Sequence, residues 1–465
     1  MSEIETKEND DPRLTDYEGN EYDYEKLDTI KKKRRTCYQK CCGNVDEGSL
    51  RGAIFSLSSL TIGTGCFALP NRCVQLGLLN QILLLLFGAY CAYWSLTGMI
   101  HASRNSKNKD FSRLVKESLG KIPGILLDVI ILVYIFGVLI SYQVVIYSLV
   151  GRVYFELFEN PSKITFDSFE KTVWETPTIK YPVMFGTSIL LIPLCLLKDL
   201  SKMSFTSTIG ICALLYTIFV IVFQSPFFYK YYKDNYFDEK NPHTHPNIYN
   251  ATPSLRPDLN IFQCFATVFF CFTCHIGAFP VYNSLKNNTT KRIHKVFRRS
   301  LGLDFIIYFL VSVCGYLTAP LTQPSLIIYR ENNGVIENDI FMTVAKLGIT
   351  VCLSMAIPPN YNSFRISFLE LFLGSNEITD KSNYLLTIPT ILITTFIAAV
   401  YNDILKFISL LGGFCGVIIA FLMPGLIYIK NNDYNLTNVR NIFSLLFICS
   451  LCTIGFIAGI ETLLF

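Results

Sequence analysis

Polar residues crowd the first 47 positions, and beyond them long apolar runs recur, separated by short polar links. The runs lie at 50–70, 77–100, 123–150, 181–197, 205–225, 260–280, 301–320, 341–358, 384–400, 404–429 and 440–463. A helix needs roughly 17 to 25 residues to cross a hydrocarbon core of about 30 Å. The pattern therefore predicts eleven transmembrane helices, with 341–358 and 384–400 marginal in length.

The first run is a poor helix by itself. Within Ser56 to Pro70, Gly63 and Gly65 bracket Thr64, and Thr61 stands just before them. Glycine is costly in a helix interior, and in hydrocarbon every opened N–H or C=O group must find a partner. Two readings stand. Small residues let neighbouring helices pack closely, or the opened backbone holds a ligand.

Composition agrees with a membrane protein. The chain is 465 residues long, 51% hydrophobic, with mean hydropathy +0.38. Only 16% of residues are charged, against roughly a quarter in soluble domains. Most of the 16 cysteines fall inside apolar runs, where the thiol acts as a small hydrophobe. Cys37, Cys41 and Cys42 lack a second Cys/His cluster nearby, which argues against zinc. Residues 1–47 are too polar to bury a core and read as a disordered tail. No apolar segment near Met1 makes a secretory signal.

Charge placement orients the spans. Lys31-Lys32-Lys33-Arg34-Arg35 precedes the first span and puts the tail in the cytoplasm. Loop 101–121 carries Arg104, Lys107, Lys109, Arg113, Lys116 and Lys121; loop 281–299 carries Lys286, Lys291, Arg292, Lys295, Arg298 and Arg299. The intervening segment 321–340 has only Arg330. Eleven spans with the tail inside leave Phe465 outside. In the outer loop 226–259, His243 and His245 are two imidazoles short of a metal site, and Asn250-Ala251-Thr252 is a glycosylation sequon on the outer side. The sequons at Asn287, Asn288 and Asn435 fall in cytoplasmic loops.

The first and sixth spans end alike. One closes Gly65-Cys66-Phe67-Ala68-Leu69-Pro70, the other His275-Ile276-Gly277-Ala278-Phe279-Pro280. Five crossings separate them, so any repeat is inverted. Interrupted helices at matching positions of two inverted halves point to a transporter site near the midplane.

These residues carry a resemblance. Cys274-His275-Ile276-Gly277-Ala278-Phe279-Pro280-Val281-Tyr282-Asn283-Ser284-Leu285-Lys286-Asn287, followed by Thr290-Lys291-Arg292, resembles the amino acid/auxin permease family, in particular its neutral amino acid transporter branch. Ile62-Gly63-Thr64-Gly65 with Ala68-Leu69-Pro70, and Leu411-Gly412-Gly413 with Phe421-Leu422-Met423-Pro424, are similar to that family over about 48–463. The resemblance implies an all-α integral membrane protein of the LeuT type: inverted five-helix repeats plus an eleventh helix. It also implies a site. Half-helix N–H groups at Thr61, Ile62, Gly63, Thr64, Gly65 and Cys66 would hold an amino acid carboxylate, and carbonyls at Phe272, Thr273 and Cys274 the ammonium group.

One departure bears on the coupling ion. Sodium-coupled members tend to carry asparagines before the glycine break and a Thr two residues before a Pro in the eighth span. Here those places hold Ser56 and Ser59, and Ala356 with Ser354 nearby. The change favours a proton over Na⁺. His275 is the titratable candidate, since imidazole changes charge near physiological pH; the alternative is a structural ring bonded to a carbonyl freed by Pro280. Asp128 reads as interfacial and Glu461 as solvated.

The expectation is a secondary active transporter of neutral L-amino acids, a symporter working by alternating access. Sodium coupling and an amino acid sensor with little transport are the alternatives. An enzyme is disfavoured, because no nucleotide loop, metal-ligand cluster or nucleophile–base pair is present. No cofactor and no nucleic acid partner is expected. The partners are a small-molecule amino acid, H⁺ or Na⁺ and the lipid bilayer. The expected form is a monomer in a plasma or vacuolar/lysosomal membrane.

Overall fold

The computed structural model describes residues 49–106, 110–158, 177–197, 204–236, 260–286, 289–318, 323–330, 335–336, 339–373, 379–401, 403–431 and 439–464. The tail 1–47, His243, His245, the sequon asparagines 250, 287, 288 and 435, and Phe465 lie outside the described residues.

Among the described residues the regular structure is helical. Span 1 is split into α1 (Leu50–Thr61) and α2 (Gly65–Leu76). Ser49 caps α1, its side chain accepting from the Gly52 amide at 3.1 Å. Span 2 is α3 (Leu78–Ser106). The amphipathic helix α4 (Phe111–Leu119) follows in the basic loop, and spans 3, 4 and 5 are α5 (Lys121–Phe158), α6 (Pro177–Leu196) and α7 (Ser204–Tyr236). Span 6 is split again, into α8 (Asn260–Cys271) and α9 (His275–Ser284). Spans 7, 8 and 9 are α10 (Thr290–Thr318), α11 (Ile340–Leu373) and α12 (Asp380–Val400). Span 10 runs from α13 (Ile404–Leu410) through two π-helical turns (Leu411–Gly416 and Ile418–Leu422) into α14 (Met423–Asn431). Span 11 is α15 (Val439–Leu464).

Nine of these helical stretches are long and apolar enough to cross a membrane, counting α8 with α9 as one. The α1–α2 pair, bent by 57°, makes a tenth. The eleventh expected run is the shorter apolar helix Lys180–Leu196. The marginal run at 341–358 belongs to a helix of 34 residues, and that at 384–400 to one of 21. Both were cut short in the sequence by polar residues that continue the helix beyond the apolar core.

Large apolar side chains point outward along several spans: Leu83, Ile189, Phe396 and Phe443 are all more than half exposed. Water penalises such a surface, whereas hydrocarbon accepts it. Inside, small residues draw the helices together. A Cβ on Gly412 would stand 1.9 Å from the Ala266 carbonyl oxygen, and one on Gly413 2.7 Å from that of Gly455. These two glycines let span 10 lie backbone-to-backbone against spans 6 and 11. The broken spans thus stand first in each set of five.

Candidate functional site

In span 1 the helix stops at Thr61 and restarts at Gly65. Ile62 still closes the old helix, its amide donating to the Ser58 carbonyl at 2.9 Å. The amides of Gly63, Thr64 and Gly65 make no backbone hydrogen bond among the described residues, and they face the start of α2, the positive end of its dipole. Thr64 is fully buried and its hydroxyl has no partner among the described residues. Gly63 leaves room here, because an added Cβ would meet only the Tyr142 hydroxyl of span 3 at 3.4 Å. Gly65 leaves none: its Cβ would stand 2.8 Å from the Phe270 ring and 2.9 Å from the Cys271 sulfur. The two breaks therefore touch at Gly65.

In span 6 the helix stops at Cys271, and Phe272 to Cys274 form an irregular turn before His275. The Cys274 amide reaches back only two residues, to the Phe272 carbonyl at 3.0 Å. Thr273 turns its hydroxyl onto the Phe269 carbonyl at 2.6 Å, and a Cβ on Gly416 of span 10 would stand 3.1 Å from that hydroxyl. The Tyr308 hydroxyl of span 7 ties the breaks together. It lies 2.9 Å from the Thr61 carbonyl and 2.9 Å from that of Cys271, the last helical residue on each side. Its ring packs edge-on against Phe272. The structure thus brings Thr61 to Cys66 and Phe272 to Cys274 into one region, with Cys66 fully buried.

The ion-coupling candidates are more scattered. Ser56 and Ser59 lie on the exposed face of α1, where the Ser59 hydroxyl donates to the Ser56 carbonyl at 2.8 Å. The Ser354 hydroxyl is likewise turned onto its own helix, donating to Thr350 at 2.8 Å. The serine of α1 that faces inward is Ser58, 2.8 Å from the Ser300 hydroxyl of span 7. His275 is fully buried. Its Nε2 stands 3.1 Å from the Ser95 hydroxyl of span 2, which itself donates to the Ala420 carbonyl of span 10. With that proton given to Ala420, Nε2 is the donor, and Nδ1 has no partner among the described residues. The ring is thus held by Ser95, not by a carbonyl freed by Pro280. Helical rotation between residues 275 and 280 turns it toward spans 2 and 10.

Asp128, read as interfacial, pairs with Lys116 of α4 at 2.7 Å. One further expectation changes. Glu461 is not solvated. It is 5% exposed and accepts from the Gln263 side chain at 3.4 Å, because span 11 continues to Leu464 and packs this last turn against span 6.

Arg72, Arg152, Asp304, Lys346 and Arg365 are charged residues buried inside the span helices that escaped the sequence reading, and two of them, Arg72 and Asp304, bear on the site. Arg72 is fully buried in α2 and donates to Thr267 at 3.0 Å, Gln75 at 2.8 Å, Gln263 at 3.3 Å and Ser409 at 2.8 Å. Gln263 also donates to Glu461, so a polar chain links spans 1, 6, 10 and 11 on one side of the breaks. Asp304 is fully buried in α10, and neither of its oxygens makes an aligned hydrogen bond. Both residues were hidden by span boundaries drawn at Pro70 and at residue 301, which put them at the lip. The helices in fact run from Gly65 to Leu76 and from Thr290 to Thr318. An Asp or Arg close to an apolar run was the available signal.

Comparison with known proteins agrees with this geometry. Among solved structures, MhsT in complex with L-phenylalanine superposes with a TM-score of 0.51 at 12% identity, covering 89% of this chain and 97% of the other. A Na⁺-coupled sialic acid symporter in a substrate-bound outward-open state gives 0.50 at 13% identity, covering 93% of each. The fold is thus the LeuT type, with an eleventh helix beyond the ten spans of the two repeats. Sodium-coupled neutral amino acid transporter 7 of Danio rerio is 24% identical over 400 residues, 82% of this chain and 78% of that one. Vacuolar amino acid transporter 5 of Schizosaccharomyces pombe is 23% identical over 392 residues, 83% and 85%. The family described as transmembrane amino acid transporter protein matches residues 46–464. From the opening of span 1 to the end of span 11, then, this chain belongs to the transmembrane amino acid transporter family.

Proposed function

We propose that the protein carries neutral L-amino acids across a membrane by alternating access, coupled to a proton. One observation carries the reading. The interrupted spans 1 and 6 meet at Gly65, and the unbonded amides of Gly63 to Gly65 and the orphan Thr64 hydroxyl stand near the opened turn of span 6. Free amides at a helix start suit a carboxylate. The irregular carbonyls of Phe272 to Cys274 suit an ammonium group. Closing either half of the bundle over such a site leaves the other side open, and the Tyr308 bridge holds the two breaks in register meanwhile.

The proton is favoured by the placement of hydroxyls. Ser56, Ser59 and Ser354 are each directed away from a shared point, and Ala356 supplies no oxygen. Of these relatives, the Danio rerio protein is named as sodium-coupled, and the Schizosaccharomyces pombe protein is named for the vacuole without a coupling ion. The tail is taken as cytoplasmic and the protein as a monomer.

The test is reconstitution. Purified protein in liposomes is expected to exchange labelled neutral amino acid across the bilayer, and to accumulate it when the outside is acidified. Binding without flux would return the sensor reading. Accumulation driven by sodium at equal pH, with no response to a pH gradient, would replace the proton.

A further inference from the structure

We propose that Asp304 is the carboxyl that takes up and releases the coupling proton. The inference rests on the transport reading and adds to it a site that the motifs did not contain.

Asp304 is the fifteenth of the 29 residues of α10. It lies five residues, about 7.5 Å at 1.5 Å per residue, beyond the last exposed basic residue Arg299, level with Thr61 at the break of span 1. It is fully buried. An ionised carboxylate in such a place is expensive unless a cation or several donors compensate it.

Its surroundings offer hydroxyls but, among the described residues, no facing cation. From α1 the Ser58 and Thr61 hydroxyls stand beside the carboxyl. The Ser58 hydroxyl lies 2.8 Å from that of Ser300, either one donating, and Thr61 donates to the Leu57 carbonyl at 2.8 Å. From the break of span 6 the Cys274 thiol faces it, and from its own helix the Tyr308 phenol. That phenol is committed to the Thr61 and Cys271 carbonyls. The charged residues of the other elements packed on α10 are engaged elsewhere. Arg72 of α2 is held by Thr267 and Ser409, and Arg104 of α3 by Tyr282 and Thr290. His101 of α3 contacts Asn431, and His294 contacts Tyr93. Lys230 of α7 is exposed.

With no counter-charge, this conformation holds the carboxyl as a neutral acid. When the bundle rocks and water enters between α1 and α10, the carboxylate becomes affordable and the proton leaves. The site is also well placed to sense substrate. Thr61 ends the first helix segment and Cys274 immediately precedes the second segment of span 6, so the group lies next to both breaks. Because the carboxyl lies beside both breaks, its protonation and the closing of the two turns around substrate act on one another, which links the two equilibria.

Two measurements test this. The first is labelling of the wild-type protein in liposomes by dicyclohexylcarbodiimide, which attacks protonated carboxyls in apolar surroundings, with mass spectrometry of the peptide containing Asp304. The expected result is labelling that falls as the pH is raised, unaffected by sodium. No label at any pH would overturn the proposal. Protection by sodium would overturn it too, by making the carboxyl a sodium ligand. The second compares Asp304→Asn with His275→Gln. Counterflow of labelled amino acid by the wild type is run first; its absence would sink the transport reading and leave the labelling result standing. Asp304→Asn is expected to lower accumulation driven by a pH gradient by about tenfold or more relative to its own counterflow, and Asp304→Glu to restore part of it. Gradient-driven accumulation surviving in Asp304→Asn but lost in His275→Gln would assign the proton to the imidazole and overturn the proposal.

Discussion

The hydroxyl of Tyr308 donates to the carbonyl of Thr61, 2.9 Å away, from the far side of the break in span 1. The same oxygen lies as close to the Cys271 carbonyl, so one proton serves two helix ends that would otherwise face each other unpaired. Leaving a buried acceptor unsatisfied costs about 1–3 kcal/mol. Tyr308→Phe keeps the ring against Phe272 and removes only this service. Thermal unfolding in detergent is expected to shift down by several degrees, with substrate affinity falling alongside. An unchanged midpoint and affinity would mean that the bridge is absent in solution.

The two glycines of span 1 are expected to differ. Any side chain at Gly65 meets Phe270 and Cys271, both fixed in the α8 end, whereas Gly63 has ordinary contact distance to Tyr142. Gly65→Val is expected to abolish uptake while Gly63→Ala retains a measurable fraction. Equal losses in the two variants, at equal surface expression, would show that flexibility rather than space governs the break.

Arg72 offers a stability test. Its planar fork reaches four neutral partners on spans 1, 6 and 10. A lysine ammonium presents a single point and cannot span them. Arg72→Lys is therefore expected to lose stability by about 3 kcal/mol or more, the scale for a disrupted buried charge network. Denaturation with the same midpoint as the wild type would make the fork dispensable.

Topology is open to direct measurement. Positive charge in loops 101–121 and 281–299 is the ground for expecting those loops on the same side as the tail. An epitope on the tail is expected to be reached by antibody only after permeabilisation, and one following Phe465 without it. Two tags that behave alike would require an even number of spans.

The apolar runs made the spans legible, because a helix in hydrocarbon must be apolar over a fixed length. The breaks were legible as well, since Gly63, Gly65 and the turn before His275 combine poor helix residues with a place where no water can repair the backbone. Polar side chains were harder to read. A run of hydropathy ends where the first charges appear, yet α2 and α10 continue past Pro70 and begin well before residue 301. That trimming concealed Arg72 and Asp304, the two charges packed nearest the breaks. The face presented by a helix was also invisible: Ser56 and Ser59 matched a pattern by position, but rotation about α1 turns Ser58 inward instead.

Substrate charge follows from what surrounds the breaks. The side chains there are hydroxyls, thiols and rings: Thr64, Thr273, Cys66, Cys274, Phe272 and Tyr142. Asp304 is the acidic group beside them, and a bound proton leaves it neutral. A cationic side chain would thus find no partner, and an anionic one would meet only the half-helix amides already needed for the substrate's carboxylate. Competition against labelled Gln or Ala is expected to rank Leu, Ala and Gln above Arg, Lys and Glu by more than about tenfold, or about 1.4 kcal/mol. Because deprotonation of Asp304 would create a counter-charge, Arg and Lys are expected to compete somewhat better as pH rises, and this rise should vanish in Asp304→Asn. Charged amino acids that outcompete the neutral ones at every pH would mean that an ion-pairing group lines the site.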